Sequence, residues 1–443
     1  MRLAFRLQVA IVPMDSVFQR QEMTALQKFT QTFKKTIYPL TALFAGTIFM
    51  CCGYAALGST LALRLTQMNT PTTLSGVILA LYYLGTVIST YSAARVINKI
   101  GHIRSFAMFA ALLAIFVSGH ALSTNLFYWS LLRLGEGYAI GGTTMCLESW
   151  INTRATNANR GTIIAVYMVT SYLGSSLGQL FLNVPDPTGM TVFVLVAMLF
   201  SCALIPVSLT ALSTPTIENV KSMELRRAYK ISPVGFVACF ASGILVGTFY
   251  MLGTIYATKI GLDIKSVSLF MFFGVIGGLL AQFPIGRISD LTDRRYVLVG
   301  ISVFLVFWAP LVHFMALYGG WPLICSVTLL GSGVFTMYPI AVSHVNDLIS
   351  DDERLQGSGM LILTQYMGLV IGPIAVAAGM NLFGPAFFVA SFVIIPLLFV
   401  AFTVTQIKRK PDIDYISNTP TQLQPSAPAN ASTYTELTSS DKE

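Results

Sequence analysis

About twenty consecutive apolar residues suffice to carry one α-helix through a bilayer, and this chain holds twelve such runs. They lie at roughly 38–63, 74–97, 104–122, 126–150, 161–184, 190–212, 232–257, 266–288, 296–317, 321–345, 357–380 and 384–406. The runs are apolar all round, whereas a helix at the surface of a soluble protein alternates an apolar stripe with a charged face. Only 10% of the 443 residues are charged and the mean hydropathy is +0.70, which excludes an ordinary soluble domain. The expected fold is an all-α membrane protein with twelve transmembrane helices, its surroundings the lipid bilayer.

Basic residues alternate with the runs. Of the 27 lysines and arginines, only Arg64, Lys259, Lys265 and the intramembrane Arg133 lie outside the two tails and every second loop. Positively charged loops mark the cytoplasmic side, so both termini are expected there. Residues 1–37 read as a cytoplasmic tail, 213–231 as a cytoplasmic central loop, and 407–443, rich in Pro, Ser, Thr and Asn, as a disordered tail. The formal charge of +8 is thus mostly a topology signal, and no basic face on a folded soluble surface points to nucleic acid. The six cysteines fall inside apolar runs without metal-ligand spacing and read as small buried hydrophobes.

Shifted by about 195 residues, the chain matches itself. ALGSTLALRL (56–65) lies over MLGTIYATKI (251–260), RLGEG (133–137) over LLGSG (329–333), YLGSSLG (172–178) over YMGLVIG (366–372), and ARVINKIG (94–101) over GRISDLTD (286–293). Four matches in the same order imply duplication of a six-helix unit, with bundles at 38–212 and 232–406. Parallel repeats about an axis along the membrane normal are used by transporters whose two halves rock around a shared site.

The layout and two of its loops resemble the major facilitator superfamily. That superfamily's loop pattern is Gly, three variable residues, Asp, two variable residues, Gly, then Arg and Arg or Lys. GRISDLTDRR keeps Gly286, Asp290, Arg294 and Arg295 but has Asp293 for the last glycine, while ARVINKIGHIR keeps Lys99 and Gly101 and replaces the first Gly and Asp by Ala94 and Asn98. ESWIN (148–152), NRGTIIAVYMV (159–169), FPIGRISD (283–290) and YPIAVSHVND (338–347) resemble the YcaD-like branch of bacterial facilitators, a likeness covering about residues 38 to 405. The resemblance implies a carrier of the bacterial inner membrane and supplies no ligand. It also implies a cytoplasmic latch at Gly286, Asp290, Arg294 and Arg295, with the Asp290 carboxylate against the amino end of the fifth helix around Arg160 and Gly161, where exposed N–H groups favour an anion.

The fourth run carries Arg133, Glu136 and Glu148, and an unpaired charge at mid-depth costs about 2.5–3.5 kcal/mol on insertion scales. Arg133 and Glu136, three residues apart, share a helical face and can neutralise each other. RLGEG also resembles the superfamily's fourth-helix motif Arg, two residues, Gln, Gly, with Glu136 in place of Gln. The functional expectation is that Arg133 orients an anionic group while Glu136 takes up and releases a proton; the alternative is an ion pair that only fixes helix register. Glu148 lies about 18 Å further along and maps at an offset of 196 onto His344, so the two are expected to form a cytoplasmic gate, bonded across the axis when the carrier is closed inward and parted when it opens; the alternative is that each caps or bonds local backbone separately. His120 and His313, near the opposite ends of their helices, read as solvated or hydrogen-bonded. Tyr82, Tyr83, Tyr167, Tyr172, Tyr250, Gln282, Tyr338, Gln365 and Tyr366 are candidate cavity-lining residues, with Gly174, Gly178, Gly368, Gly372 and Pro373 letting helices approach and bend.

No GxxxxGK[ST] loop is present, which argues against ATP-driven transport, and no nucleophile with a partner or metal-ligand cluster points to an enzyme. The expected function is secondary transport of a small organic solute by alternating access, driven by the proton gradient, with no bound cofactor and the monomer as the working unit. The alternatives are facilitated diffusion without proton coupling, or a non-transporting sensor on a transporter frame.

Overall fold

The computed structural model describes residues 37–153, 159–187, 189–209 and 224–409. The expected tails at 1–37 and 407–443 lie almost wholly outside these residues, as does most of the central loop. The chain divides after Thr41; before that point the described residues form a single 3-10 turn, Tyr38–Leu40.

The unit that follows is built from helices alone among the described residues. Twelve long ones run in order: α1 Thr41–Gln67, α2 Thr72–Ile100, α3 His102–His120, α4 Leu126–Thr153, α5 Arg160–Gln179, α6 Met190–Ser208, α7 Pro233–Lys259, α8 Ile264–Leu291, α9 Arg294–Ala316, α10 Gly320–Asn346, α11 Asp351–Phe383 and α12 Phe387–Arg409. A short helix, Leu225–Ile231, precedes α7. Eleven of the twelve are long and apolar enough to cross a membrane by length and composition. The exception is α4, whose 28 residues are ample in length but include Arg133, Glu136 and Glu148. It is shielded by packing along α2 and α3.

The duplication is visible in the packing. α2 runs along α4 as α8 runs along α10, and α3 along α6 as α9 along α12. Two pairs of contacts fix the register. A side chain at Gly85 would lie 2.1 Å from the Leu134 carbonyl oxygen, and one at Gly277 would lie 1.9 Å from that of Thr328. Likewise Gly137 abuts the Tyr82 carbonyl and Gly331 that of Gly274, each at 1.8 Å from the missing Cβ. Only glycine lets backbones approach this closely. These equivalences set offsets of 192 for α2 onto α8 and 194 for α4 onto α10. The sequence match of RLGEG with LLGSG, at 196, is therefore two residues out of register. Its two glycines recur at a spacing of two, so after that slip Gly137 still falls on a glycine, Gly331. On the structural register Glu148 corresponds to Val342, not His344.

The halves meet along two equivalent seams, α2 against α11 and α5 against α8. The helix-bending prolines are unevenly shared: Pro206 alone in the first half, against Pro284, Pro310, Pro339, Pro373 and Pro396 in the second. Pro373 lies within α11 at the seam, where its carbonyl would lie 2.9 Å from a Cβ on Gly76 of α2. At the face away from the basic loops the halves are clasped. Lys259 Nζ donates to Thr72 Oγ1 at 2.6 Å, Asn183 Nδ2 to Ser268 Oγ at 2.7 Å, and Ser268 Oγ to the Gln179 carbonyl at 2.9 Å.

Candidate functional site

The charged residues of α4 point inward. Arg133 is 2% exposed and Glu136 1%, so neither faces lipid. Arg133 Nη1 donates to Glu136 Oε2 at 2.8 Å, as three-residue spacing on a helix allows. The other carboxylate oxygen, Oε1, is held at 2.8 Å by His120 Nε2, from the last turn of α3. His120 is fully buried, stacked on Phe193 of α6 and set edge-on to Trp129 of α4, and its Nδ1 has no hydrogen-bond partner. Facing a carboxylate, Nε2 is the N–H side.

Arg133 also reaches the boundary between the halves. Its Nη2 lies 3.5 Å from the Leu79 carbonyl of α2 and 3.9 Å from the Met251 sulfur of α7, and its guanidinium sits 4.7 Å from the centre of the Tyr82 ring. Around it is an aromatic cluster drawn from both halves. Tyr54 of α1 stacks on Tyr82 at 6.2 Å and meets Tyr250 of α7 edge-on at 6.4 Å; Tyr83 meets Tyr82 at 5.3 Å. Phe335 of α10 joins Tyr250 to Tyr172 of α5, at 5.4 and 6.1 Å. Four of the tyrosines expected to line a cavity therefore come together, with Tyr54 as a member that sequence reasoning missed.

Glu148 is buried nearer the basic face. Its Oε1 accepts from Tyr167 Oη of α5 at 2.9 Å, and its Oε2 has no partner. Its partner Tyr167 and its chain neighbour Leu147 help to line a narrow cleft, together with Met50, Cys51 and Tyr54 of α1 and Thr144 of α4. Tyr338 of α10 lies within electrostatic reach of Glu148 and of Tyr366. Gln365 is buried at the approach of α11 to α7, its backbone against Gly243, and Gln282 is half-buried with an unpartnered Oε1.

The expected gate is arranged differently. Glu148 bonds within its own half, while His344 is buried in the second half within electrostatic reach of Asp293, Arg294, Arg295 and Asp347. On the structural register the two are not symmetry equivalents. The loop arginines likewise tie elements of one half together. Arg294 bridges Asp290 of α8 at 3.1 Å and Asp347 at the end of α10 at 2.6 Å, and Arg295 pairs with Asp293 at 2.6 Å. Gly286 is buried on α8, which packs along α5. The expected place of the Asp290 carboxylate was the amino end of α5 around Arg160 and Gly161; the side chain of Arg160 lies outside the described residues, and Asp290 is held by Arg294.

The model of the Major Facilitator Superfamily matches this chain twice, over residues 43–290 and 236–428. The chain belongs to that superfamily. It is a membrane transporter and not an enzyme. An uncharacterised facilitator-type transporter of Yersinia enterocolitica is 28% identical over 340 residues, 76% of this chain and 87% of its own length. The uncharacterised facilitator-type transporter YcaD of Escherichia coli is 27% identical over 337 residues, with the same shares covered. Among solved structures, the nucleoside transporter NupG superposes with a TM-score of 0.66 at 15% identity, covering 84% of this chain and 98% of its own. A bacterial homologue of the human lysosomal transporter Spinster, inward-facing and unoccupied, gives 0.62 at 13% identity, covering 86% and 99%. At these identities the superpositions establish the shared facilitator fold.

Proposed function

We propose that this facilitator is a proton-coupled secondary transporter of a small organic solute, working as a monomer by alternating access in the bacterial inner membrane, with the basic face and both termini cytoplasmic. One observation carries the reading: Arg133 is shared between Glu136 in its own half and Met251 and the aromatic cluster at the boundary with the other. Rocking the halves apart removes α7 from Arg133 and changes how firmly the guanidinium holds Glu136. A carboxylate whose cation partner moves binds protons differently in the two states, and that difference couples the proton to the solute. His120 keeps the second oxygen in place and offers Nδ1 as a further proton acceptor.

Facilitated diffusion is the second reading, favoured by the saturation of both Glu136 oxygens, which suits a purely structural triad. Reconstituted vesicles separate the two. Under proton coupling, a panel of solutes added to vesicles with an entrapped pH dye elicits proton movement for the transported one. Glu136→Gln, or the charge-free pair Arg133→Met with Glu136→Gln, then exchanges that solute without accumulating it. Accumulation by these variants equal to the parent's, or transport indifferent to the gradient, overturns the proposal.

A further inference from the structure

The two carboxylates buried in α4 are treated oppositely. Glu136 is saturated by Arg133 and His120. Glu148 is 6% exposed, has one neutral hydroxyl on Oε1 and nothing on Oε2, and no cation pairs with it among the described residues. The ionisable groups in its electrostatic reach are Cys51 of α1, Tyr167 of α5 and Tyr338 of α10, none of them basic. A carboxylate withdrawn from water with a bare oxygen needs a positive partner or a proton. The adjoining cleft is lined by Tyr54, Tyr167, Met50 and Cys51, with Thr47, Ile140, Thr144 and Leu147. Aromatic faces attract a cation through their quadrupoles, and the attraction grows when water is excluded. Arg133, a buried cation that could receive an anion, is already neutralised by Glu136.

We infer that Glu148, Tyr167 and Tyr54 form a recognition site for the cationic nitrogen of an organic amine. This names the solute class for the transport proposed above and rests on that reading. In the amine's absence the Glu148 carboxyl holds a proton on Oε2. When an alkylammonium enters, the proton leaves to solvent and the carboxylate left behind pairs with the incoming N–H groups, so charge balances at each stage.

The test is equilibrium binding to the purified full-length chain in detergent, with benzylammonium chloride as probe and sodium benzoate as its matched anion. Benzylammonium is expected to raise the melting temperature saturably and to release a proton detected by a pH dye; benzoate is expected to do neither. Glu148→Gln abolishes both signals. Tyr167→Phe, which removes one charge-assisted hydrogen bond, weakens binding by about tenfold. Should Glu148→Gln fail to fold, Glu148→Asp keeps the charge while shortening its reach, and reduced affinity is again expected. Stabilisation by benzoate alone, an amine signal of undiminished strength in the Glu148 variants, or no response to benzylammonium overturns the inference. Binding requires no turnover, so the charge-free pair Arg133→Met with Glu136→Gln should retain it while losing accumulation. Loss of one result without the other tells the two proposals apart.

Discussion

Removing the two charges of the α4 ion pair should have unequal costs. Glu136→Gln strands Arg133 at 2% exposure, with only a carbonyl at 3.5 Å, a thioether at 3.9 Å and the Tyr82 ring for company. A guanidinium cannot shed its proton in a protein, so the charge stays. Breaking a buried pair in this way costs about 3–5 kcal/mol. Arg133→Met leaves Glu136 with His120 still at 2.8 Å, and the imidazole can take a second proton on Nδ1 to become the missing cation. The expected cost is that of one unmet hydrogen bond, about 1–3 kcal/mol. Arg133→Met combined with Glu136→Gln removes both charges, and replacing a buried pair by uncharged groups is commonly near neutral. The double variant should therefore be more stable than Glu136→Gln alone, with a coupling energy of several kcal/mol. Reversible unfolding in mixed micelles, followed by tryptophan fluorescence, gives all four corners of the cycle. Additive single costs, or Arg133→Met as the more damaging change, would refute the account of the triad.

Gly137→Ala should impair folding by at least about 1–3 kcal/mol, because its methyl would sit 1.8 Å from the Tyr82 carbonyl of α2. Gly300→Ala, with open space around it, is the control expected to melt no lower than the parent. Lys259→Met removes the bond to Thr72 across the clasped face and should raise the population open there by about tenfold, the equivalent of one charge-assisted hydrogen bond. Spin labels at Gln67 and Asp263 should report it as a longer distance; an unchanged distribution contradicts the role given to the clasp. Asp347→Asn loosens Arg294 from the end of α10 and should lower the melting temperature while leaving amine binding intact.

Much of the fold was legible because lipid imposes a length and a composition on each crossing. The limits of the runs anticipated the helices to within a few residues, and the glycines of α5 and α11 do lie against α1 and α7, where Gly178 abuts the Cys52 carbonyl and Gly368 that of Phe240. The pairing of Arg133 with Glu136 followed from helical spacing. His120 did not, because its contact with Glu136 depends on how α3 docks on α4. The available signal was stoichiometric: a buried carboxylate has two oxygens, and one arginine on the same face satisfies one. The repeat equivalent of Glu148 was misplaced for a related reason. Repeat matching yields symmetry equivalents only when its register is right, and a glycine doublet fixes register to within two residues at best. Which oxygen of Glu148 stays bare is set by α5, through Tyr167, and leaves no trace in the local sequence of α4.

The polarity of α4 bears on how the protein is made. A helix with three ionisable groups gains too little from lipid to leave the translocon alone, each unpaired charge costing about 2.5–3.5 kcal/mol at mid-depth. α2 and α3, with the Leu79 carbonyl, the Tyr82 ring and the His120 imidazole, are synthesised before it and supply partners for Arg133 and Glu136. Insertion of the fourth segment is thereby made conditional on the second and third, and nascent chains lacking those two should expose it to glycosylation on the wrong side of a microsomal membrane.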